Sequence, residues 1–200
     1  MAALLKSAWE IALERTEGIE ADPEKIRKEA SINKGRKLAG TYLANLEDDG
    51  SDLKKTYEKA DENLQPLLKA GLGTTVIMNI ALPQTTDYEN RIEKMIFIAS
   101  TIDGPQSLSV DLLGQVGQFM GKYVEARDSL LERARQQYAP VYEQKREREM
   151  QQYGRSSNIP LDQDPEFLQL LQKSFAQLSA QFQQALDEVK DELRKEWNLQ

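Results

Sequence analysis

The 200-residue chain contains no histidine and no cysteine. Without cysteine there is no disulfide, thiolate nucleophile, iron–sulfur cluster or zinc ribbon. Without histidine there is no imidazole base, no haem-type axial histidine and no mixed histidine–carboxylate metal site. No motif in the remaining residues identifies a reaction, so no catalytic residue, metal site or cofactor is expected. Positive charge is also scarce: 26 Lys and Arg stand against 33 Asp and Glu, a formal net charge of −7. Nucleic acid and anionic membranes are bound mainly through Lys and Arg, so neither is an expected partner. Of the basic clusters, only Lys34, Arg36 and Lys37 have no acidic neighbour in sequence. Long apolar runs are missing too. The longest uncharged stretch, the 17 residues 70–86, holds Gly71, Gly73, Asn79, Pro83, Gln84 and four threonines, which is not a membrane span. The apolar run before Lys6 is too short for a signal peptide and has no basic residues ahead of it, so the cytoplasm is the expected location.

What the chain does have is a strong helical grammar. Of its 59 charged residues, 25 fall in 1–62, nine in 63–124 and 25 in 125–200, so an apolar middle is flanked by two polar arms. Asp22-Pro23-Glu24 and Asp164-Pro165-Glu166 each supply a capping carboxylate, a proline at the first helical position and an acid where the helix dipole favours one. Thr86 with Glu89 has capping-box spacing, and Ser51 and Ser109 precede acids that suit a first turn. Gly18, Gly50, Gly104-Pro105 and Gly154 mark stops, and Pro83 ends a pattern. These marks predict helices over 3–17, 23–47 (with a break near Asn33 to Gly35), 52–69, 72–82, 87–102, 107–153 and 165–197. Segments 74–80 and 95–102 also carry strand-favouring residues, so a small β-hairpin is the alternative there.

The last helix carries the clearest pattern. Leu168, Leu171, Phe175, Leu178, Phe182 and Ala185 recur at alternating three- and four-residue steps, and Val189, Leu193 and Trp197 continue the seam. Such a stripe needs a covering partner. One is available within the chain: Leu112, Leu113, Val116, Phe119, Met120, Tyr123, Leu130, Leu131 and Ala134 form a matching face, reached through the polar linker 154–164. The alternative is a homodimer seam built from the same residues. Pro140 should kink or break the preceding helix, because it removes a backbone donor and clashes with the turn before it. Gly114, Gly117 and Gly121 share one helix. Each costs about 1 kcal/mol relative to Ala, so close approach of another helix is the expected use. Gly71-Leu-Gly73 lacks the strand, third glycine and Gly-Lys-Ser/Thr ending of phosphate loops, and reads as a helix break. Helical carboxylate pairs such as Glu143 and Glu147, or Asp187 and Asp191, lack the Glu-x-x-His motif of di-metal bundles and read as solvated surface.

The expected fold is all-α, with six to eight helices: a small central helical core and a long, coiled-coil-like antiparallel helical hairpin at the C-terminal end, elongated as a whole. One domain, 1–200, is expected, divisible into a core lobe at 1–106 and a hairpin at 107–200. The leading functional expectation is a non-enzymatic interaction or scaffold protein that presents helix faces to a protein partner or to itself. The candidate interface residues are Gly114, Gly117, Gly121, Leu168, Leu171, Phe175, Leu178, Phe182, Val189 and Leu193. The competing expectation is a small-molecule-binding helical domain, or a histidine-independent enzyme, with a pocket in region 70–121 lined by Met78, Ile80, Met95, Phe97 and Phe119.

Overall fold

The computed structural model describes residues 22–84, 88–156 and 158–199. Every long element within them is an α-helix: α1 (Pro23–Ala44), α2 (Ser51–Glu58), α3 (Gln65–Asn79), α4 (Glu89–Asp103), α5 (Leu108–Tyr153) and α6 (Pro165–Glu196), with one 3-10 turn at Leu161–Gln163. Both acid–proline–acid triplets start helices. The Asp22 carboxylate accepts from the Glu24 amide at 2.9 Å, and Asp164 accepts from the amides of Glu166 at 2.9 Å and Phe167 at 3.5 Å. The stretches 74–80 and 95–102 lie in α3 and α4, so no hairpin forms there. The expected helix at 3–17, the stop at Gly18 and the Thr86 cap lie outside the described residues.

Two expected breaks are overturned. α1 runs unbroken through Asn33 and Gly35, and α3 runs unbroken through Gly71 and Gly73. The break falls instead at 59–64, between α2 and α3. The glycines are in the helices because two helices cross there. A methyl group on Gly35 would lie 2.5 Å from the Leu68 carbonyl oxygen, and one on Gly71 would collide with the Ile32 carbonyl oxygen and lie 2.8 Å from the Arg36 nitrogen. α1 and α3 thus pack backbone to backbone, and the glycine cost is offset by contact that no side chain permits. Of the kink or break expected at Pro140, the break does not occur: the proline sits inside an uninterrupted α5. It is exposed, as is Gln136 one turn before, so water can hydrate the carbonyl that the proline leaves without a donor.

The main core gathers Ala39 and Tyr42 of α1, Leu53 of α2, Leu72, Val76 and Ile77 of α3, Met95, Ile98 and Ala99 of α4, Leu112, Leu113, Val116 and Met120 of α5, and Leu186 and Leu193 of α6 with Trp197 just beyond it. It therefore draws on both ends of the described chain. Lys94 is buried within it, its ammonium 4.4 Å above the Tyr42 ring. It donates to the carbonyls of Tyr42 at 3.0 Å, Asn45, and Asp48 at 3.3 Å. A cation thereby satisfies the carbonyls at and just past the C-terminal end of α1, where the helix dipole is negative.

Asp103 ties four elements together. It accepts from Lys69 of α3 at 2.6 Å, Ser109 of α5 at 2.8 Å and the indole N–H of Trp197 at 2.6 Å. Burial pushes its pKa up, but these three donors outweigh that and hold it below the ordinary carboxylate value.

α5 and α6 run antiparallel beyond this core as a two-helix arm with its own small apolar cluster of Ala134, Tyr138 and Phe167. At about 1.5 Å per residue, the 46 residues of α5 span roughly 69 Å. A compact chain of 200 residues has a radius of gyration of only about 16 Å, so a helix of that length reaches well beyond such a globule. The molecule is elongated.

Candidate functional site

The arm is built from two anchors. At its inner end Phe182 packs between Phe119 and Tyr123, with ring centroids 4.8 and 5.2 Å away, and the Tyr123 hydroxyl meets Ser179 Oγ at 3.0 Å. At its outer end Phe167 packs on Tyr138 at 5.5 Å, and the Tyr138 hydroxyl donates to Asp164 at 2.9 Å. Lys145 also donates to Asp164, at 2.9 Å, and reaches Glu166 at 3.3 Å. Arg135 grips Asp162 through two nitrogens, at 2.9 and 3.3 Å. The linker is thus clamped to α5 within the 3-10 turn and just after it.

Asp164 is the centre of the outer anchor. Burial raises its pKa, but the bonds from Lys145, Tyr138 and the Glu166 and Phe167 amides win and lower it to about 2. Tyr138 is pushed up to about 12, first by burial and then by its bond to Asp164. Lys145 is raised, chiefly by its bond to Asp164. Every shift favours the ion pair as drawn. None leaves a side chain primed for acid–base work near neutrality.

The seam residues are divided among different surroundings. Leu193 is fully buried in the main core, and Val189 packs half-buried against it. Leu171, Phe175, Leu178 and Phe182 are half-buried between the two arm helices or beside them. Leu168, by contrast, is 47% exposed. Phe167 and Leu186 are also sealed, at 1% exposure each, and neither belongs to the expected seam. On a straight helix of 3.6 residues per turn a stripe drifts round the surface relative to a 3.5-residue seam, which moves Leu168 out and its neighbour Phe167 in. On the exposed side of α6, Asp187 pairs with Lys190 at 3.3 Å and Asp191 with Arg194 at 2.5 Å.

The three α5 glycines are not equivalent. A methyl on Gly117 would lie 3.1 Å from the Ile92 side chain, and one on Gly121 would lie 3.1 Å from the Tyr88 hydroxyl, whereas one on Gly114 would meet nothing within 4 Å. The five residues expected to line a pocket are not brought together either. Met78 is 77% exposed, Ile80 and Met95 are sealed in the core, and Phe97 and Phe119 are packed against it. Met95 borders a cleft of about 300 Å³ beside Asn79, Tyr88 and Arg91, and Phe119 a different one of about 260 Å³ between α5 and α6.

Larger clefts flank the arm. One face, of about 580 Å³, is bordered by Glu125, Ser129 and Arg133 of α5 and by Leu170, Ser174 and Leu178 of α6. The opposite face, of about 640 Å³, runs from the 81–84 loop to Phe175, and Arg127 donates to the Gln84 carbonyl across it at 3.1 Å. Among the described residues no group of three or more acidic side chains is placed to hold a metal ion. No buried side-chain nitrogen or oxygen there lacks a hydrogen-bond partner, so no internal polar atom is held in reserve for a ligand. No helix of the described residues is long and apolar enough to cross a membrane.

Fold and surface together define an all-helical protein with a filled core and a projecting two-helix arm. The chain belongs to a family of unknown function (DUF6657), whose model matches residues 54–195, from within α2 to the last turn of α6. The matched stretch holds the whole arm and omits α1. No curated protein and no solved structure matches the chain.

Proposed function

We propose that this protein is a non-enzymatic helical interaction or scaffold protein of the cytoplasm, which offers the coiled-coil-like arm formed by α5 and α6 to a protein partner or to a second copy of itself. One observation carries the reading. The arm leaves large apolar side chains in water along its length: Val141 (48% exposed), Met150 (51%), Tyr153 (72%), Leu168 (47%) and Leu170 (41%). A two-helix layer cannot bury both of its faces, and apolar residues that stay exposed on such a layer are where a further helix docks. The competing small-molecule reading has less behind it, since the expected lining residues are dispersed and the core is filled.

The test uses a photo-crosslinking amino acid in place of Leu168, with a control at the exposed Glu58 of α2. In cells that make the protein, discrete protein adducts are expected from position 168 and not from position 58. Identical adduct patterns at both positions would count against the arm as an interaction surface.

A further inference from the structure

The cleft of about 580 Å³ on one face of the arm has a symmetry of its own. Tyr123 lies opposite Ser179 and Tyr138 opposite Phe167, and interpolating between these pairs sets Ser129 of α5 level with Ser174 of α6. One turn to either side of Ser129, four residues away, stand Glu125 and Arg133; one turn to either side of Ser174 stand Leu170 and Leu178. The face therefore reads, from the inner level outward, acid with leucine, serine with serine, base with leucine. Turned by 180° about an axis that lies in the face and passes the two serines, it becomes its own complement. Glu125 then comes over Arg133 of the second copy, Leu170 over Leu178, and the small serines sit where the helices approach most closely. Neither Glu125 nor Arg133 forms an ion pair among the described residues, so each is free to meet a partner.

We infer that this face is an isologous self-association surface, on which α5 and α6 of two copies stack antiparallel as a four-helix bundle. A two-fold interface must be self-complementary residue by residue, and opposite charges in mirrored positions set both its register and its partner. The face between Lys122 and Gln137 is about 22 Å long and roughly 20 Å across. It would bury on the order of 900 Å² in total, less than a permanent dimer needs, so the association is reversible and concentration-dependent. The inference rests on the arm being an interaction surface and narrows it to one partner, the chain itself.

Sedimentation velocity of the full chain over a concentration series tests it. The mass should rise from the 22.8 kDa of one chain toward twice that value. Glu125→Arg places like charges opposite each other at both ends of the interface and should weaken association by about tenfold or more. Arg133→Glu should do the same, while the double swap Glu125→Arg with Arg133→Glu should restore association to near the wild-type level. Both side chains are exposed, so circular dichroism should be unchanged in all three. Leu170→Glu should also abolish association. A wild type that stays monomeric throughout, single variants that associate as the wild type does, or a folded double swap that fails to recover would each overturn the inference. Should the wild type be monomeric while position 168 still crosslinks to other proteins, only the two-fold surface fails. Loss of both sets of results removes the broader reading as well.

Discussion

Asp164 does three tasks with one carboxylate. It caps α6, accepts the buried Tyr138 hydroxyl and pairs with Lys145. Its folded pKa of about 2, against an ordinary 3.8, fixes the sign of a pH effect. A depressed carboxylate stabilises the fold fully above the unfolded value, and that contribution is lost as the pH falls through the folded one. The urea unfolding midpoint of the wild type should therefore drop between about pH 4 and about pH 2. Asp164→Asn keeps a good capping side chain but has no charge to lose, so its midpoint should begin lower and fall less over that window. Equal slopes for the two proteins would show that the ion pair does not hold the linker. The cap itself was legible in the sequence as an acid–proline–acid triplet. The bonds to Tyr138 and Lys145 were not, because they join residues 26 and 19 positions apart and depend on where the arm folds back.

Helix ends and helix faces were largely readable from the chain, because caps and apolar spacing are local. What the chain could not show was which glycines face another helix. Gly114, Gly117 and Gly121 share a motif spacing, yet the tightest crossing is at Gly35 and Gly71, in different helices with no shared pattern. Replacement by alanine separates the two cases. Gly114→Ala adds a methyl to open space and should stabilise by roughly 0.5–1 kcal/mol through helix propensity. Gly71→Ala drives the same methyl into the α1 backbone, which has no rotamer to yield, and should destabilise by about 1–3 kcal/mol. Thermal unfolding of the two variants reads both signs, and a stabilised Gly71→Ala would mean that α1 is not seated on α3 as described. The seam on α6 was legible as a stripe but misaligned at Leu168, since a period of 3.5 and one of 3.6 cannot be told apart over a few turns.

At the scale of the molecule, the arm sets the dimensions. A compact 200-residue chain has a radius of gyration of about 16 Å, whereas small-angle scattering at low concentration should give a value at least about a quarter larger. A value near the compact figure would mean that the arm folds back on the core. Elongation could be read from the sequence because the last helix is as long as an entire globule of this size. The filling of the core by both ends of the described chain could not, since it depends on Trp197 reaching Asp103 across 94 positions. That long reach has a consequence during synthesis. At about 5–20 residues per second, a ribosome needs roughly 5 to 20 s to travel from Asp103 to Trp197. Throughout that interval α3 and α4 exist without Leu186, Leu193 and Trp197 over their apolar faces. The first-made helices of the core thus remain open to chaperones, and to one another on neighbouring ribosomes, until the last turn of α6 has emerged.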